Sequence, residues 1–297
     1  MCGLIEEAGC LKGCIIFNRY YTDAGQEYAL KRLTECFRLQ GFPLRRLTPC
    51  AVIGMEPKFP DVDFVVFWDK DAGLARFLEH GGIRVYNPSV AIEMCDDKRK
   101  TYERFRDTEF PLIPTVFAPL AFPSALPVDN GFLNLIEKTF GYPCVVKENV
   151  GSLGKNVYLV KDSQELAALH KRLFNVPHQY QKLIGAGGSD TRVYTVGRKA
   201  VAAVKRENKA SFISNAAGGG KTTYFPLTDT LTRLSEFAAN TLELDYGAID
   251  FLEDDGKYLF LEANSSAYFK AAETLGIDIA GALTEYICKT QSAKTSP

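Results

Sequence analysis

The amino-acid sequence predicts a small parallel α/β domain followed by a longer α+β region. In residues 1–95, short apolar runs alternate with amphipathic stretches, as they do where parallel strands are joined by helices. Beyond that point the strands come in neighbouring pairs and the helices lie in separate runs, which is typical of antiparallel α+β structure.

The N-terminal elements follow from local signals. Residues 14–17 form a short apolar run that predicts the first strand, and Asp23 with Gln26 is typical of a helix N-terminus. Residues 63–68 (DFVVFW) predict a buried strand. A helix should follow and end at Gly81-Gly82, before another strand at 83–86. These elements together predict a parallel sheet.

The later part of the chain predicts a second series of elements. Residues 143–147 and 157–160 resemble the strands of a hairpin around a glycine-bearing turn. The other predicted elements are helices at 163–173, 229–242 and about 279–289, and strands at 192–196, 199–205, 246–253 and 258–262.

Composition excludes several classes of protein. The 297-residue chain has a net charge of −1, so it has no global basic field for holding nucleic acid. The most apolar stretch, 113–128, contains four prolines, which prevent a membrane-spanning helix. The N-terminus lacks the pattern of a signal peptide. We therefore expect a cytoplasmic protein that binds neither nucleic acid nor membrane, and the sequence leaves a homo-oligomer open.

Cysteine and histidine do not predict a zinc site. The eight cysteines include no C-x-x-C pair, and only three histidines are present. We interpret the thiols as reduced cysteines of a cytosolic protein. His170 is predicted in a helix and His178 in a loop, each without a matched partner, so both are interpreted as structural.

Three oxygen-bearing side chains lie in the last predicted strand pair. Asp250 belongs to one strand, and Glu262 and Asn264 end the next, on the same face because they are two residues apart. Hard oxygen ligands grouped in this way suit Mg²⁺. These residues alone leave a second interpretation open, in which they are ordinary charges at strand ends.

Lysines and glycines form a candidate phosphate-binding region. Lys147 ends an apolar strand and is followed by a loop containing Gly151, Ser152 and Gly154, whose backbone N–H groups can approach phosphate oxygens. Lys98 lies on an earlier predicted helix. A lysine followed at once by such a loop predicts phosphate binding more strongly than either feature alone.

A segment resembling a Walker A loop occurs at residues 214–222 (SNAAGGGKT). Asn215 stands where the first glycine is required, and the residues after Lys221 are extended and interrupted by Pro226. A P-loop needs a helix N-terminus at that point to hold phosphate. We therefore reject the P-loop interpretation.

The order of these motifs resembles the ATP-grasp superfamily, and within it the RimK-like glutamate ligases. The similarity runs from Asn87 to Asp278. It implies an ATP-grasp fold with an N-terminal pre-ATP-grasp α/β domain at 1–95. Two α+β subdomains, at 96–180 and 181–297, would enclose ATP.

The resemblance also implies roles for individual residues. Nucleotide binding is implied for Lys98, Lys147, Gly151, Ser152, Gly154, Asp190, Arg192 and the backbone of Lys182 and Leu183. Mg²⁺, with Mn²⁺ as an alternative ion, is implied for Asp250, Glu262 and Asn264. Catalytic roles are implied for Arg206, Lys221 and Asn215.

The implied activity is an ATP-dependent ligation. A carboxylate substrate is phosphorylated, ADP leaves, and the acyl phosphate is joined to an amine acceptor, as in the addition of glutamate or another amino acid. Ile213 and Gly218 stand where such ligases carry basic residues, which indicates a changed substrate side. The alternatives are a ligase that modifies or crosslinks a ribosomal peptide and a non-catalytic nucleotide-binding protein on the same scaffold.

Overall fold

The computed structural model describes residues 12–21, 23–53, 61–122, 130–152, 154–185, 188–214 and 220–295. These residues form three sheets, each built from a consecutive stretch of the chain. Within this part of the chain, no helix combines the length and the apolar character needed to cross a membrane. The predicted domain boundaries near 95 and 180 stay predictions.

The N-terminal sheet is parallel, as predicted, with strand order β2-β1-β3-β4. Its elements are β1 (Gly13–Phe17), α1 (Ala24–Leu39), β2 (Arg45–Leu47), α2 (Pro49–Ile53), β3 (Phe64–Trp68), α3 (Ala72–His80) and β4 (Arg84–Tyr86). The short elements β2 and α2 have weak local signals and were not predicted from the sequence.

The start of α1 confirms the predicted cap. The Asp23 carboxylate accepts the Gln26 N–H at 2.8 Å, which satisfies one of the unpaired amides of the first turn. The Gln26 side-chain amide in turn donates to the Asn18 carbonyl oxygen at 2.8 Å. The helix therefore begins at the carboxyl edge of β1, where open parallel sheets usually bind ligands.

The central sheet is antiparallel, in the order β5-β8-β6-β7, and includes the predicted hairpin. Its elements and the helices before and around it are α4 (Ser89–Asp96), α5 (Lys98–Phe105), β5 (Thr115–Phe117), α6 (Asn130–Phe140), β6 (Cys144–Glu148), β7 (Val157–Val160), α7 (Ser163–Arg172) and β8 (His178–Lys182).

The two histidines of this region correct the sequence interpretation. His178 begins β8 and does not lie in a loop. The two histidines do have a partner, which is the Tyr180 hydroxyl. Its oxygen lies 2.7 Å from Nε2 of His178 and 2.5 Å from Nδ1 of His170. Burial lowers the pKa of both imidazoles. The two histidines and Tyr180 form a buried polar cluster at the central sheet.

The C-terminal sheet is antiparallel, in the order β11-β10-β9-β12-β13. Its elements are β9 (Ser189–Val196), β10 (Lys199–Glu207), β11 (Lys221–Phe225), α8 (Asp229–Thr241), β12 (Tyr246–Asp254) and β13 (Lys257–Asn264), followed by α9 (Lys270–Glu273) and α10 (Ile279–Thr295). Residues 221–225 form a strand and not a helix, so the rejection of a P-loop is confirmed.

Asn87, directly after β4 of the N-terminal sheet, contacts the C-terminal sheet. Its side-chain amide donates to the carbonyl oxygens of Tyr246 and Ser265, each at 2.7 Å. Its Oδ1 accepts the N–H groups of Asp245 at 2.8 Å and Tyr246 at 3.0 Å. A buried side chain that makes four such bonds fixes the start of β12 and the end of β13, the two strands that carry the predicted metal ligands.

Candidate active site

A cavity of about 850 Å³ lies where the three sheets meet. It is lined by twelve of the predicted site residues: Lys98, Lys147, Gly151, Ser152, Gly154, Lys182, Leu183, Asp190, Arg192, Arg206, Glu262 and Asn264. Asp250 lies behind this wall and is fully buried. Asn215 lies outside the described residues. The fold thus gathers residues that are up to 166 positions apart in the sequence, from Lys98 to Asn264, around one space.

The three predicted metal ligands converge. Asp250 and Glu262 lie opposite each other in the pairing of β12 with β13. The Asn264 amide nitrogen lies 3.3 Å from Glu262 Oε1 and 3.5 Å from Asp250 Oδ2. Among the described residues, no group of three His, Cys, Asp or Glu side chains is arranged so that it could hold a metal ion by itself. A magnesium site here therefore depends on the Asn264 amide oxygen as its third protein ligand, with the amide turned toward the ion.

Asp250 is held by two arginines. Arg192 donates from Nε to Oδ1 at 2.8 Å and from Nη2 to Oδ2 at 2.7 Å. Arg206 donates from Nη2 to Oδ2 at 2.9 Å. Burial alone would raise the pKa of Asp250, but the two guanidinium groups outweigh it and lower the pKa. Asp250 is therefore an anion, with lone-pair capacity left for one further ligand.

Asp190 anchors Arg206 on the neighbouring strand pair. The two residues lie opposite each other between β9 and β10, and Arg206 donates to both carboxylate oxygens at 2.6 and 2.5 Å. The Ser214 hydroxyl also donates to Asp190. The nucleotide contact implied for Asp190 stays a prediction. In the structure its oxygens position Arg206, and sequence reasoning did not foresee the contribution of Ser214.

The oxygen donors of this cluster suit a cation. Arg192 and Arg206 pair with Asp190 and Asp250, whereas Glu262 has no arginine partner among the described residues and lines the cavity beside them. Such carboxylate and amide oxygens suit a hard divalent ion that keeps other positions for phosphate and water. The residues present therefore fit Mg²⁺.

Lys147 lies on β6, is 8% exposed, and faces the cavity. Burial lowers the pKa of its ammonium group to about 8, against an opposing effect of Glu262 and with a further lowering by Lys98. Within the described part of the chain, no carboxylate lies within ion-pair distance of its Nζ. Such a buried and unpaired cation is disfavoured until an anion reaches it.

Lys98 connects α5 to the glycine loop. Its Nζ donates to the Gly151 carbonyl oxygen at 2.9 Å, and its N–H donates to the Asn149 carbonyl oxygen at 2.9 Å. Gly151 has φ +142°, a conformation that favours glycine, and a Cβ there would lie 3.0 Å from Asn156 Nδ2. The loop between β6 and β7 thus lies against Lys98. Leu153, at its centre, lies outside the described residues.

Apolar side chains also line the cavity, among them Ile113, Val145, Ile184, Leu252 and Leu261. The backbone N–H of Lys182, another lining residue, donates to the Pro114 carbonyl oxygen at 3.3 Å. An adenine contact by Lys182 must therefore use its carbonyl oxygen, and the implied roles of Lys182 and Leu183 stay predictions.

Lys221 is placed apart from the other candidates. It is exposed at the start of β11, opposite Glu207, and does not line the cavity, although its neighbour Thr222 does. The catalytic role implied for Lys221 stays a prediction that the geometry does not favour.

Sequence reasoning missed several residues that line the cavity. Trp68 and Asp69 at the end of β3 of the N-terminal sheet, and Ser266 beyond β13, are among them. Lys70 and Asp96, which also line it, form an ion pair at 2.5 Å. The available signal was the position of Trp68 and Asp69 at the carboxyl end of a parallel strand, where ligands usually bind.

Comparison with known proteins identifies the family. The sequence profile of the RimK-like ATP-grasp domain matches residues 127–287. A probable alpha-L-glutamate ligase of Serratia proteamaculans is 30% identical over 287 residues, which cover 89% of this chain and 92% of that protein.

Solved structures share the fold at low identity. The ATP complex of D-alanine–D-alanine ligase from Bacillus anthracis superimposes with a TM-score of 0.73 at 16% identity, covering 96% of this chain and 98% of the other. The ATP-grasp ligase PsnB, complexed with a phosphomimetic variant of a minimal precursor, Mg and ADP, gives a TM-score of 0.70 at 17% identity and covers 95% of this chain and 99% of its own.

These findings confirm the ATP-grasp fold and the ligase class that the motifs predicted. The profile match includes β6, the glycine loop and all five strands of the C-terminal sheet, which carry most of the candidate site. The chain therefore belongs to the RimK-like ATP-grasp family of ligases.

Proposed function

We propose that this protein uses Mg-ATP to phosphorylate a substrate carboxylate and then joins the acyl group to an amine, releasing ADP and phosphate. One observation carries the proposal. A buried, unpaired lysine, two arginines and the carboxylates of Asp190 and Glu262 line the same cavity, with Asp250 directly behind its wall, and this set complements a polyphosphate and its divalent ion.

The nucleotide would lie with its base between the apolar walls and its phosphates toward Lys147 and Lys98. An arriving phosphate satisfies the buried Lys147 ammonium group, which gives nucleotide binding a favourable electrostatic contribution in a region shielded from water. Lys98 would exchange its bond with the Gly151 carbonyl oxygen for a phosphate oxygen. This exchange would link nucleotide binding to the position of the glycine loop.

Asp250, Glu262 and Asn264 would hold Mg²⁺. When bound, the ion neutralises charge on the phosphates and favours their alignment for in-line transfer. Arg192 fixes the orientation of Asp250 through two hydrogen bonds, so this carboxylate would already be oriented for the ion before the nucleotide binds. Mn²⁺ would fit the same oxygen donors.

In the first step an oxygen of the substrate carboxylate attacks the γ-phosphorus. A carboxyl O–P bond forms, the bond between the γ-phosphorus and the bridging oxygen breaks, and ADP leaves. Phosphoryl transfer needs little covalent help, so positioning and charge stabilisation are what the protein must supply. Arg206, held by Asp190 and Asp250, presents a fixed guanidinium group for the transferred phosphoryl oxygens.

In the second step the lone pair of an unprotonated amine attacks the acyl carbon. A C–N bond forms, the C–O bond to phosphate breaks, and the amine loses a proton to the departing phosphate or to solvent. Arg206 would also stabilise the tetrahedral oxyanion. Water must be excluded while the acyl phosphate exists, and the loop with Gly151 and Gly154, which lines the cavity, would do this by closing over the phosphates.

The proposal is tested by separating nucleotides after incubation of the protein with Mg-ATP, glutamate, and a pool of amino acids and short peptides. Glutamate is included because of the name of the Serratia relative. We expect ADP and phosphate only when a carboxylate and an amine are both present. Lys147→Met should abolish this activity and Lys221→Met, at an exposed lysine, should retain it. AMP and pyrophosphate, or ADP release that ignores the pool, would contradict the proposal.

A further inference from the structure

The segment that follows β10 folds back onto the start of β9. The Asn208 N–H donates to the Gly188 carbonyl oxygen at 2.6 Å, and the Gly188 N–H donates to the Phe212 carbonyl oxygen at 2.7 Å. Gly188 has φ +72°, and a Cβ there would collide with the Asn208 carbonyl oxygen, so glycine is required at this position. These contacts hold Phe212 beside Gly188. Two residues further along each segment are Ser214 and Asp190.

Ser214 completes the bonding of the Asp190 carboxylate. Its hydroxyl donates to Oδ2 of Asp190, the oxygen that also accepts Nη2 of Arg206 at 2.5 Å. Oδ1 of Asp190 accepts Nε of Arg206 at 2.6 Å. All three side chains are buried, and all three residues line the cavity. Among the described residues, Ser214 is the one neutral side chain that bonds this carboxylate.

The bonds to carboxylates leave one side of the Arg206 guanidinium group for a ligand. A guanidinium group has five N–H donors in one plane. Those on Nε and Nη2 donate to Asp190 and, at 2.9 Å, to Asp250. Those on Nη1 have no acceptor within the described part of the chain. Because the group is planar, the position of Asp190 sets the direction in which the Nη1 donors point.

We propose that Ser214 is a positioning residue for phosphoryl transfer: by holding Asp190, it keeps Nη1 of Arg206 directed at the phosphoryl group that is transferred. The inference rests on the proposed ligase function and concerns how its rate is set. A hydroxyl group has a single proton, and that of Ser214 is donated to Asp190, so Ser214 acts through Arg206 and not on the nucleotide itself. This role explains the first residue of segment 214–222, which resembles a Walker A loop but does not form one.

Loss of the Ser214 hydroxyl should affect the rate and not the affinity for nucleotide. Without it, Oδ2 of Asp190 keeps only Nη2 of Arg206, and the carboxylate and the guanidinium group can turn together. Removing a preorganised donor for the transition state costs about 10²–10³ in rate, and displacing one should cost about 10- to 100-fold. ADP lacks the transferred phosphoryl group, so Mg-ADP binding should be unchanged.

The test compares Ser214→Ala and Ser214→Thr with a matched control, Ser235→Ala. Ser235 is also buried, but its hydroxyl has no partner among the described residues and it does not line the cavity. In the product assay, Ser214→Ala should lower kcat about 10- to 100-fold at an unchanged KM for ATP. Ser214→Thr keeps the hydroxyl group and should restore most of the rate. Ser235→Ala should turn over as the parent does.

A second readout does not depend on turnover. Fluoroaluminate with Mg-ADP imitates the phosphoryl group during transfer, and analogues of a transition state bind more tightly than the ground state. Calorimetric titration with Mg-ADP should therefore show tighter binding when fluoroaluminate is present. Ser214→Ala should reduce this gain about 10- to 100-fold and leave the affinity for Mg-ADP alone unchanged. In an Arg206→Met background, Ser214→Ala should have no further effect, because the two residues act as one unit.

The proposal is overturned if Ser214→Ala matches the parent in kcat, if Ser214→Thr is as slow as Ser214→Ala, or if the loss persists in Arg206→Met. No gain from fluoroaluminate in the parent would also overturn it. If Ser214→Ala does not fold, Ser214→Cys, whose S–H is a weak donor, replaces it with the same expected losses. A fluoroaluminate gain that depends on Ser214 in a protein without ligase turnover would reject the ligase function and keep this role. Turnover that is indifferent to Ser214 would do the reverse.

Discussion

The pH dependence of nucleotide binding should follow the charge on Lys147. Burial lowers the pKa of this ammonium group from 10.5 to about 8, a change worth about 3 kcal/mol. The unfolded chain keeps this proton up to about pH 10, so burying the charged ammonium group destabilises the ligand-free protein most strongly below about pH 8. The free energy of unfolding should therefore rise as the pH increases from about 8 to 10. A bound phosphate removes that penalty by favouring the charged form.

The magnitude follows from the fraction of Lys147 that is protonated. With a pKa of about 8, nearly all of it is charged at pH 7 and roughly 3% at pH 9.5. Mg-ADP affinity should therefore fall by up to about 30-fold over this range. The terminal phosphate loses its own last proton near pH 6, so its charge is constant here.

The assay is calorimetric titration with Mg-ADP between pH 7.0 and 9.5 at fixed ionic strength. Lys147→Arg stays charged throughout, so its affinity should not follow pH. Lys147→Met should bind weakly at every pH, and Lys221→Met should reproduce the parent profile because Lys221 is exposed outside the cavity. A parent affinity that is flat over this range, or a fall that persists in Lys147→Arg, would refute the reasoning.

Three further predictions concern the metal ligands, the histidine cluster and the glycine loop. Asp250→Asn should lower the free energy of unfolding by about 3–5 kcal/mol in urea, because two buried arginines lose their shared anion. Glu262 has no arginine partner among the described residues, so Glu262→Gln should weaken Mg²⁺-dependent nucleotide binding with little loss of stability. Thermal melts should show stability falling as the pH drops below about 6.5, because the folded state lowers the pKa of His178 and the unfolded chain protonates first. His178→Phe should make that fall shallower while Tyr180 keeps one histidine partner. Gly151→Ala should lower turnover about 10- to 100-fold and the melting temperature by a few degrees, since φ +142° strains any other residue by about 1–3 kcal/mol.

Each of these predictions has an outcome that contradicts it. An Asp250→Asn protein as stable as the parent would show that the arginines do not depend on this carboxylate. A pH–stability profile identical in His178→Phe would move the acid sensitivity to other groups. Full turnover in Gly151→Ala would mean that the loop does not need its left-handed conformation.

Local sequence patterns predicted the elements that carry the site because those elements are set by short-range signals. The apolar run before Lys147 and the alternation around Glu262 determine strands and faces, and both lie in the structure as expected. The strand that follows Gly220 also came from a local feature, its extended and proline-terminated sequence.

Contacts between distant strands could not be read from those patterns. Arg192 and Asp250 meet because β9 pairs with β12, and 58 residues separate the two side chains. Nothing in either strand specifies that partner. For the same reason the anchoring of Arg206 by the Asp190 oxygens was not foreseen, while the nucleotide contact that the resemblance implied for Asp190 stays a prediction.

The cavity lining next to the N-terminal sheet depends on tertiary packing that no local pattern specifies. Asp69 looks in the sequence like an ordinary residue at the end of a strand, but it is buried in the structure and lines the cavity. The sequence predicts a loop at His178 because its strand, His178–Lys182, is short and polar, and burial against Tyr180 is what stabilises the strand there. Tertiary burial overrides weak strand propensity at such positions.

The formation of an acyl phosphate is the central claim, and transfer of isotopic oxygen tests it most directly. The protein would be incubated with Mg-ATP, amines and a pool of amino acids and peptides whose carboxylates carry ¹⁸O, and the released phosphate would be analysed by mass spectrometry. The mechanism predicts one ¹⁸O atom in each phosphate formed together with amide product. Unlabelled phosphate alongside amide product would contradict it, because the carboxylate oxygen would then never have been bonded to phosphorus.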